Sequence, residues 1–183
     1  METDEIIIAQ TKRWIQDVVV GCNFCPFAAK ELKLGSIHYQ VLRSATIKTC
    51  LQELAFAFQQ LDNDNNIETT LLILPDDFGD FNKYLELTEL ADEFLADLGK
   101  EGIYQVASFH PLYIFAGSTS ADPANYTNRS LYPMLHILRE ASLTTALTEF
   151  PHPEKIPQNN IAFAKKKGLE YMKVLRYSCG RQL

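Results

Sequence analysis

The amino-acid sequence predicts an α/β fold, and three observations support this prediction. Short β-rich segments alternate with amphipathic helical segments whose lengths suit the crossovers of a parallel sheet. Hydrophobic residues make up 46% of the 183 residues, which is typical of a globular protein. A chain of about 150 residues buries roughly two-thirds of its unfolded surface. We therefore expect a single domain of residues 1–183, with a small three- or four-stranded, mainly parallel sheet and helices on both faces. A mixed α+β arrangement is the alternative.

The first half of the chain predicts two helices, a helical turn and one strand. Apolar residues recur at helical spacing from the start of the chain, and Gly21 ends that pattern. The strand is inferred from alternation and from its β-branched and aromatic residues. Ser44 or Thr46 is expected to cap the next helix, because a hydroxyl accepts a hydrogen bond from a free N–H group of the first turn. The elements are a helix over 3–20, a helical turn over 26–32, a strand over 37–42 and a helix over 46–60.

The second half predicts two strands and three helices. The first of these strands is almost fully apolar, as expected of a strand that is covered on both faces. Gly99 closes the helix that follows, and His110-Pro111 ends the second strand, which Tyr113–Phe115 can continue after a bulge. Right-handed crossovers place two helices on one face of the sheet and leave the terminal helices for the other. The elements are a strand over 70–74, a helix over 80–98, a strand over 104–109, and helices over 133–148 and 161–177.

Composition and charge restrict the cellular compartment and the classes of binding partner that we expect. The net charge is -6, which argues against duplex nucleic acid as the partner. The N-terminus lacks the pattern of a secretory signal, and no apolar stretch reaches the ~18 residues of a spanning helix. We therefore expect a cytoplasmic protein without a membrane partner. In a reducing compartment its four cysteines are expected to be thiols.

Charged residues are unevenly distributed along the chain. Residues 62–101 contain twelve acidic and two basic residues, whereas residues 165–181 contain six basic residues and one acidic residue. Such runs are typical of solvated helix faces. The acidic segment and the basic C-terminal tail can also pair with each other or dock a partner. This second interpretation predicts a non-catalytic interaction protein.

Polar residues gather in residues 108–140, directly after the third predicted strand. His110 follows that strand, and ligands of α/β sheets tend to lie beyond the carboxyl ends of parallel strands. The arginine of the next loop offers a bidentate fork for a carboxylate or a phosphate. The serine after it is expected to cap the following helix, whose N-terminus also favours an anion. The candidate ligand-binding residues of this loop are Asn125, Asn128, Arg129 and Ser130.

The predicted helix after this loop carries three further candidates. Spacings of three and four place His136, Arg139 and Glu140 on one helix face. His110 or His136 is expected to act as a general acid or base, because histidine titrates near neutral pH. Glu140 would orient a histidine or act as the partner acid. Arg139 would hold the anion together with Arg129.

Other interpretations of the same residues remain open. His110, His136 and Glu140 make a two-histidine, one-carboxylate set, which is a known arrangement for a divalent transition metal. Asn and Asp residues in a loop are also turn formers, and His136 with Glu140 is also an ordinary i, i+4 pair. The chain has no phosphate-loop, nucleophile-elbow or dinucleotide-binding pattern. The sequence therefore assigns no cofactor and no metal.

The segment Gly21–Ala28 contains a Cys-x-x-Cys pair, Cys22 and Cys25. In dithiol redox proteins such a pair follows a strand and opens a helix, which lowers the pKa of one thiol. Here the preceding segment is predicted to be helical, which favours structural thiols that pack with neighbouring phenylalanines. Cys25 remains a candidate reactive thiol, and thiol redox chemistry remains an alternative function.

Several motifs of the chain resemble one bacterial protein family. They are Trp14-Ile15, NFCPFA over 23–28, YQVASFHP over 104–111, NYTNRS over 125–130, YPMLHILREAS over 132–142 and Ile156-Pro157-x-x-Asn160. Along almost the whole chain these residues resemble the family known as "domain of unknown function 1415". The resemblance implies no reaction. Cys22 stands where the family commonly has an aliphatic residue, which weakens a dithiol mechanism, and Leu131 stands where it commonly has proline.

The sequence favours an enzyme or a binding protein for a small anionic molecule, a carboxylate or a phosphate. Its site is expected within residues 108–140, and the residues do not specify a reaction class. The interaction protein is one alternative. A metal-dependent protein that uses His110, His136 and Glu140, or a thiol redox protein, is the other.

Overall fold

A four-stranded sheet organises the protein. The structure is a computed structural model, and it describes residues 2–148 and 150–180. In these residues the strands lie in the order β1-β2-β4-β3. They are β1 (Ile37–Val41), β2 (Thr69–Ile73), β3 (Tyr104–Phe109) and β4 (Met134–Arg139).

Seven α-helices accompany the sheet in the described part of the chain. They are α1 (Asp4–Trp14), α2 (Ala28–Leu34), α3 (Ile47–Asn63), α4 (Phe81–Asp97), α5 (Glu140–Thr148), α6 (Ile156–Lys167) and α7 (Leu169–Cys179). A π-helical segment, Ile15–Val20, continues α1, and short 3-10 helices cover Pro123–Thr127 and Pro153–Lys155. None of the described helices has the length and apolarity that crossing a membrane requires.

The sheet is mixed, and only one of its three strand pairings is parallel. β1 pairs in parallel with β2, whereas β4 is antiparallel to both β2 and β3. The α/β class and the helices on both faces are confirmed, but the expectation of a mainly parallel sheet is wrong. The reason is the extra strand β4. It returns from β3 through a long loop and inserts between β3 and β2.

The predicted helix over 133–148 is wrong in its first half, because residues 134–139 form β4. A short apolar run fits a buried strand as well as a buried helix. In the structure Leu135 and Ile137 join the core on one side of the sheet, and Met134 joins the core on the other. The strands on both edges of this segment and the cores on both of its faces therefore determine its conformation. The helix begins only at Glu140.

Each face of the sheet has its own hydrophobic core. On one face the buried side chains of α3 and α4, such as Leu54 and Leu87, pack on Leu72 and Leu135. On the other face α1, the π-helical segment, α6 and α7 pack on Leu71 and its neighbours. The predicted cap of α3 is confirmed, since the Thr46 hydroxyl accepts from the Thr49 N–H at 3.2 Å.

Three further predictions about local structure need correction. The N-terminal helix changes to π-helical geometry after Trp14. Gly21 follows this segment, where a Cβ would lie 2.3 Å from the Asp17 carbonyl oxygen. Residues 113–115 form no strand. The C-terminal helix over 161–177 is two helices, because Gly168 adopts a φ of 83° that favours glycine and breaks the helix between α6 and α7.

Candidate functional site

The loop of residues 110–133 links β3 to β4 and is fixed from several sides. The His110 N–H donates to the Asn128 carbonyl at 3.2 Å, which closes the loop on itself. The buried Trp14 indole N–H donates to the Arg129 carbonyl at 3.2 Å, which ties the loop to α1. The motif NYTNRS is therefore a rigid part of the structure.

His110 is fully buried, and both of its ring nitrogens are hydrogen-bonded. Nδ1 accepts from the Leu112 N–H at 2.9 Å, so Nε2 carries the proton and donates to the Phe78 carbonyl at 2.8 Å. Burial lowers the pKa of His110, although the Phe78 hydrogen bond opposes this effect. The neutral ring joins two loops and has no free nitrogen with which to serve as an acid or base.

The two loop asparagines also bind backbone groups. Asn125 is fully buried; its side chain accepts from the Phe115 N–H at 3.1 Å and donates to the Thr119 carbonyl at 2.8 Å. Asn128 donates to the Ser108 carbonyl at 3.2 Å. These amides hold the loop in shape rather than face a ligand.

The guanidinium of Arg129 holds the loop through two of its nitrogens and leaves the third without a partner among the described residues. It is 8% exposed, and its guanidinium lies 4.9 Å from the centre of the Tyr126 ring. Nε donates to the Tyr113 carbonyl at 2.9 Å and Nη2 to the Ser120 carbonyl at 3.0 Å. Nη1 makes no hydrogen bond to a described residue, so one donor of the fork stays available.

Ser130 does not cap a helix, because a strand follows it. Its hydroxyl donates to the Tyr132 carbonyl, and its own carbonyl accepts from Arg176 Nε at 2.7 Å. The predicted helix N-terminus, and the preference for an anion that it would bring, is absent at this position.

His136, Arg139 and Glu140 do not share a face. His136 and Arg139 are three positions apart on β4, and side chains alternate along a strand, so the two point to opposite sides of the sheet. Glu140 begins α5, and its N–H donates to the Ile103 carbonyl at 3.0 Å. The predicted cluster depended on helical spacing, which this segment lacks.

Arg139 stabilises the C-terminal end of α3. Its Nη2 donates to the carbonyls of Leu61 and Ile67, the latter at 3.1 Å, and its Nη1 lies 3.5 Å from the Tyr104 hydroxyl. The last carbonyls of a helix lack intrahelical partners and attract a cation. The guanidinium of Arg139 is therefore used in hydrogen bonds to backbone carbonyls.

His136 lies in the middle of the sheet in a fixed tautomer. Its Nε2 is 2.7 Å from the Thr69 hydroxyl, which itself donates to the Ile137 carbonyl. Nε2 must therefore donate to Thr69, and Nδ1 is unprotonated. Burial lowers the pKa of His136 to about 4, which keeps the ring neutral near neutral pH.

In the described part of the chain no three His, Cys, Asp or Glu side chains are grouped as metal ligands, so the predicted metal set of His110, His136 and Glu140 is not assembled.

The Cys-x-x-Cys segment contains free thiols with raised pKa values. Burial raises the pKa of both Cys22 and Cys25. The N–H groups of Phe27 and Ala28 counteract this at Cys25 without reversing it. Because thiolates are the reactive species, this environment favours structural thiols. The segment is anchored by Asn160, which donates to the Phe24 carbonyl at 2.7 Å.

A cluster of cations forms where α7 crosses the NYTNRS loop. Arg176 of α7 binds the carbonyl of Ser130, next to Arg129. Burial lowers the pKa of Arg176, and the nearby charge of Arg129 lowers it further. Lys173 lies one turn earlier on α7 and pairs at 2.9 Å with Glu170, whose side chain is 81% exposed.

Arg176 also lines an open pocket of about 310 Å³. On one side of the pocket Tyr132 and Gln10 donate to the Glu2 carboxylate at 2.7 and 2.9 Å, which lowers the pKa of Glu2. The lining residues are Glu2, Gln10, Leu131, Tyr132, Arg176, Tyr177 and Gly180. A ligand in this pocket would meet the guanidinium of Arg176.

Sequence reasoning missed Tyr126, Lys173 and Arg176. The sequence places the two cations in the basic C-terminal tail. Their three-residue spacing within a predicted helix was the available signal, because it places both on one helix face. Nothing in the sequence indicates that this helix packs against the NYTNRS loop.

Comparison with known proteins identifies the family but no characterised relative. No curated protein and no solved structure matches the chain. A family model described as "Protein of unknown function (DUF1415)" matches residues 6–174 of the 183. This match spans the described helices and strands from α1 into α7, including every motif that carries the resemblance. The chain therefore belongs to the DUF1415 family.

Proposed function

We propose that this protein binds a small anionic molecule, a carboxylate or a phosphate, between the NYTNRS loop and α7. The observation that carries the proposal is the unused hydrogen-bonding capacity of Arg176. Its Nε is held by the Ser130 carbonyl, while Nη1 and Nη2 bind no described residue. A guanidinium fixed at one nitrogen and open at two suits bidentate recognition of an anion.

Neighbouring groups add donors and positive charge at the same place. Nη1 of Arg129 has no partner in the described chain, and the buried Tyr126 lies beneath that guanidinium. Among the described residues, the ion-pair partner of Lys173 is the exposed carboxylate of Glu170. Two arginines this close repel each other in a partly desolvated site, and a bound anion would relieve that repulsion.

The predicted site residues take two kinds of role in this proposal. Arg129 is a binding residue, as expected from the sequence. Asn125, Asn128 and Ser130 position it by fixing the loop backbone. The pocket beside Arg176 would receive the rest of the ligand. Arg139 and His110 lie outside the proposed binding group, because their donors and acceptors are used by backbone groups.

Titration calorimetry and thermal unfolding with inorganic phosphate, sulfate and citrate test the proposal. At least one of these anions is expected to bind the wild-type protein and raise its Tm, because a ligand of the native state stabilises it by mass action. Arg176→Gln should weaken that binding by about tenfold or more, the value of a lost charged hydrogen bond. Lys33→Gln, which removes an exposed charge on α2, is the matched control and should bind as the wild type does.

Two results would overturn the proposal. One is a wild-type protein that binds none of the three anions and shows no shift in Tm. The other is an Arg176→Gln variant that remains folded and binds as tightly as the Lys33→Gln control.

A further inference from the structure

The outer face of α4 combines carboxylates with exposed leucines. Its acidic residues recur at spacings of three and four, on the side away from the buried stripe of the helix. Leu90 and Leu98 are 36% and 42% exposed. None of these carboxylates forms an ion pair with a described residue. We define the acidic leucine face as Glu86, Glu89, Leu90, Glu93, Asp97 and Leu98.

The end of α6 and the outer side of α7 have the opposite character. Val174 and Tyr177 are 67% and 68% exposed. The Lys167 ammonium lies 4.7 Å from the centre of the Tyr171 ring, so charge and apolar surface are continuous. An open groove of about 360 Å³ is lined by Val174, Tyr177, Ser178 and the ion-paired Glu170 and Lys173. We define the basic aromatic face as Lys166, Lys167, Tyr171, Val174 and Tyr177.

These two faces cannot meet within one molecule. α4 packs with α3 on one side of the sheet, whereas α6 and α7 pack on the other side. The sheet and both cores lie between them. Any contact between the acidic leucine face and the basic aromatic face must therefore join two copies of the chain.

We propose that this protein self-associates head to tail, with the acidic leucine face of one copy docked on the basic aromatic face of the next. Each face supplies what the other lacks. Carboxylates without an ion-pair partner among the described residues oppose lysines, and exposed leucines oppose the exposed side chains of Val174 and Tyr177. Complementary charge sets the orientation of such contacts, and apolar burial stabilises them. Because the two faces differ, the contact is heterologous and generates a ring or an open chain of copies.

A second copy fits the basic aromatic face better than a nucleic acid does. The apolar part of the face includes Val174, which offers no ring for base stacking, and an aliphatic side chain matches a leucine. The same chain carries the leucines and carboxylates that this surface requires.

Sedimentation velocity of the full chain tests the proposal through charge reversal. The wild type is expected to form larger species as its concentration rises over about a hundredfold range. Raising the salt from about 50 mM to about 500 mM should return it to monomer, because salt screens exposed charges. The variant Glu89→Lys/Glu93→Lys and the variant Lys166→Glu/Lys167→Glu should each associate at least about tenfold more weakly.

An equimolar mixture of the two double variants is the decisive sample. Each variant alone lacks one of the two charged faces. The mixture combines the intact basic aromatic face of Glu89→Lys/Glu93→Lys with the intact acidic leucine face of Lys166→Glu/Lys167→Glu, so association should return. This recovery also shows that both variants are folded. The proposal is overturned by a wild type that stays monomeric throughout, by variants that associate like the wild type, or by a mixture that stays monomeric. A monomeric protein that binds single-stranded RNA through the basic aromatic face would overturn it as well.

Discussion

Replacing His136 by glutamine is expected to remove a pH-dependent part of the folding free energy. Burial lowers the pKa of His136 from 6.5 to about 4. The folded protein therefore binds this proton less readily than the unfolded chain, and acidification favours unfolding. This contribution to stability is fully present above about pH 6.5 and is lost progressively as the pH falls to about 4.

The two pKa values set the size of the effect. A difference of about 2.5 corresponds to about 3 kcal/mol over the whole titration. Between about pH 7 and about pH 5 the same values predict a loss of about 2 kcal/mol. Glutamine can still bond to the Thr69 hydroxyl, which His136 contacts at 2.7 Å, but it does not titrate.

Urea unfolding of the wild type and of His136→Gln at about pH 7, 6 and 5 measures this contribution. Burial also lowers the pKa values of His110 and His38, but these groups titrate in both proteins, so the difference between the proteins isolates His136. His152→Asn is the control substitution, because the His152 side chain is 71% exposed. Equal losses of stability in the wild type and His136→Gln would refute the reasoning.

Two substitutions test the structural roles of other residues. Arg139→Met should lower the free energy of unfolding by about 1.5–3 kcal/mol, because it removes charged hydrogen bonds to the Leu61 carbonyl at the end of α3 and to the Ile67 carbonyl in the loop that follows. A loss below about 0.5 kcal/mol in urea unfolding would show that this cap contributes nothing. Gly21→Ala should cost about 1–3 kcal/mol or more, because the new Cβ would lie 2.3 Å from the Asp17 carbonyl oxygen. Gly79→Ala, where a Cβ meets open space, should be nearly neutral, and equal thermal shifts for the two glycine variants would contradict this account.

The π-helical segment explains why Gly21 is needed. The Gly21 N–H donates to the Gln16 carbonyl at 3.0 Å, five residues earlier, so the wider turn continues to the end of the segment. The chain then leaves toward Cys22 and the Phe24 carbonyl that Asn160 binds. Glycine at this position follows from a close backbone approach that periodicity alone does not reveal.

The sequence places the candidate site within residues 108–140, and the site that we propose uses the same loop with a partner from α7. Arg129 is selected from the sequence because an arginine in a polar loop is a general signal for an anion. Arg176 contributes two guanidinium nitrogens that bind no described residue, yet it lies almost fifty positions later in the chain. Its proximity depends on how α7 packs over the loop, which local spacing does not encode. Conversely, Arg139 looked available only because its segment was interpreted as a helix.

Local patterns determined the class of fold, most element boundaries and the capping of α3, because these depend on periodicity and on side chains within a few residues. The tertiary structure alone decided that residues 134–139 are a strand, since an apolar run takes its conformation from its neighbours. It also decided that His110 is neutral and fully bonded, that Arg139 caps α3, and that Arg176 meets Arg129. The physical reason is the same in each case: a polar side chain acts through the groups that long-range folding brings within hydrogen-bonding distance, and residue type alone does not specify those groups.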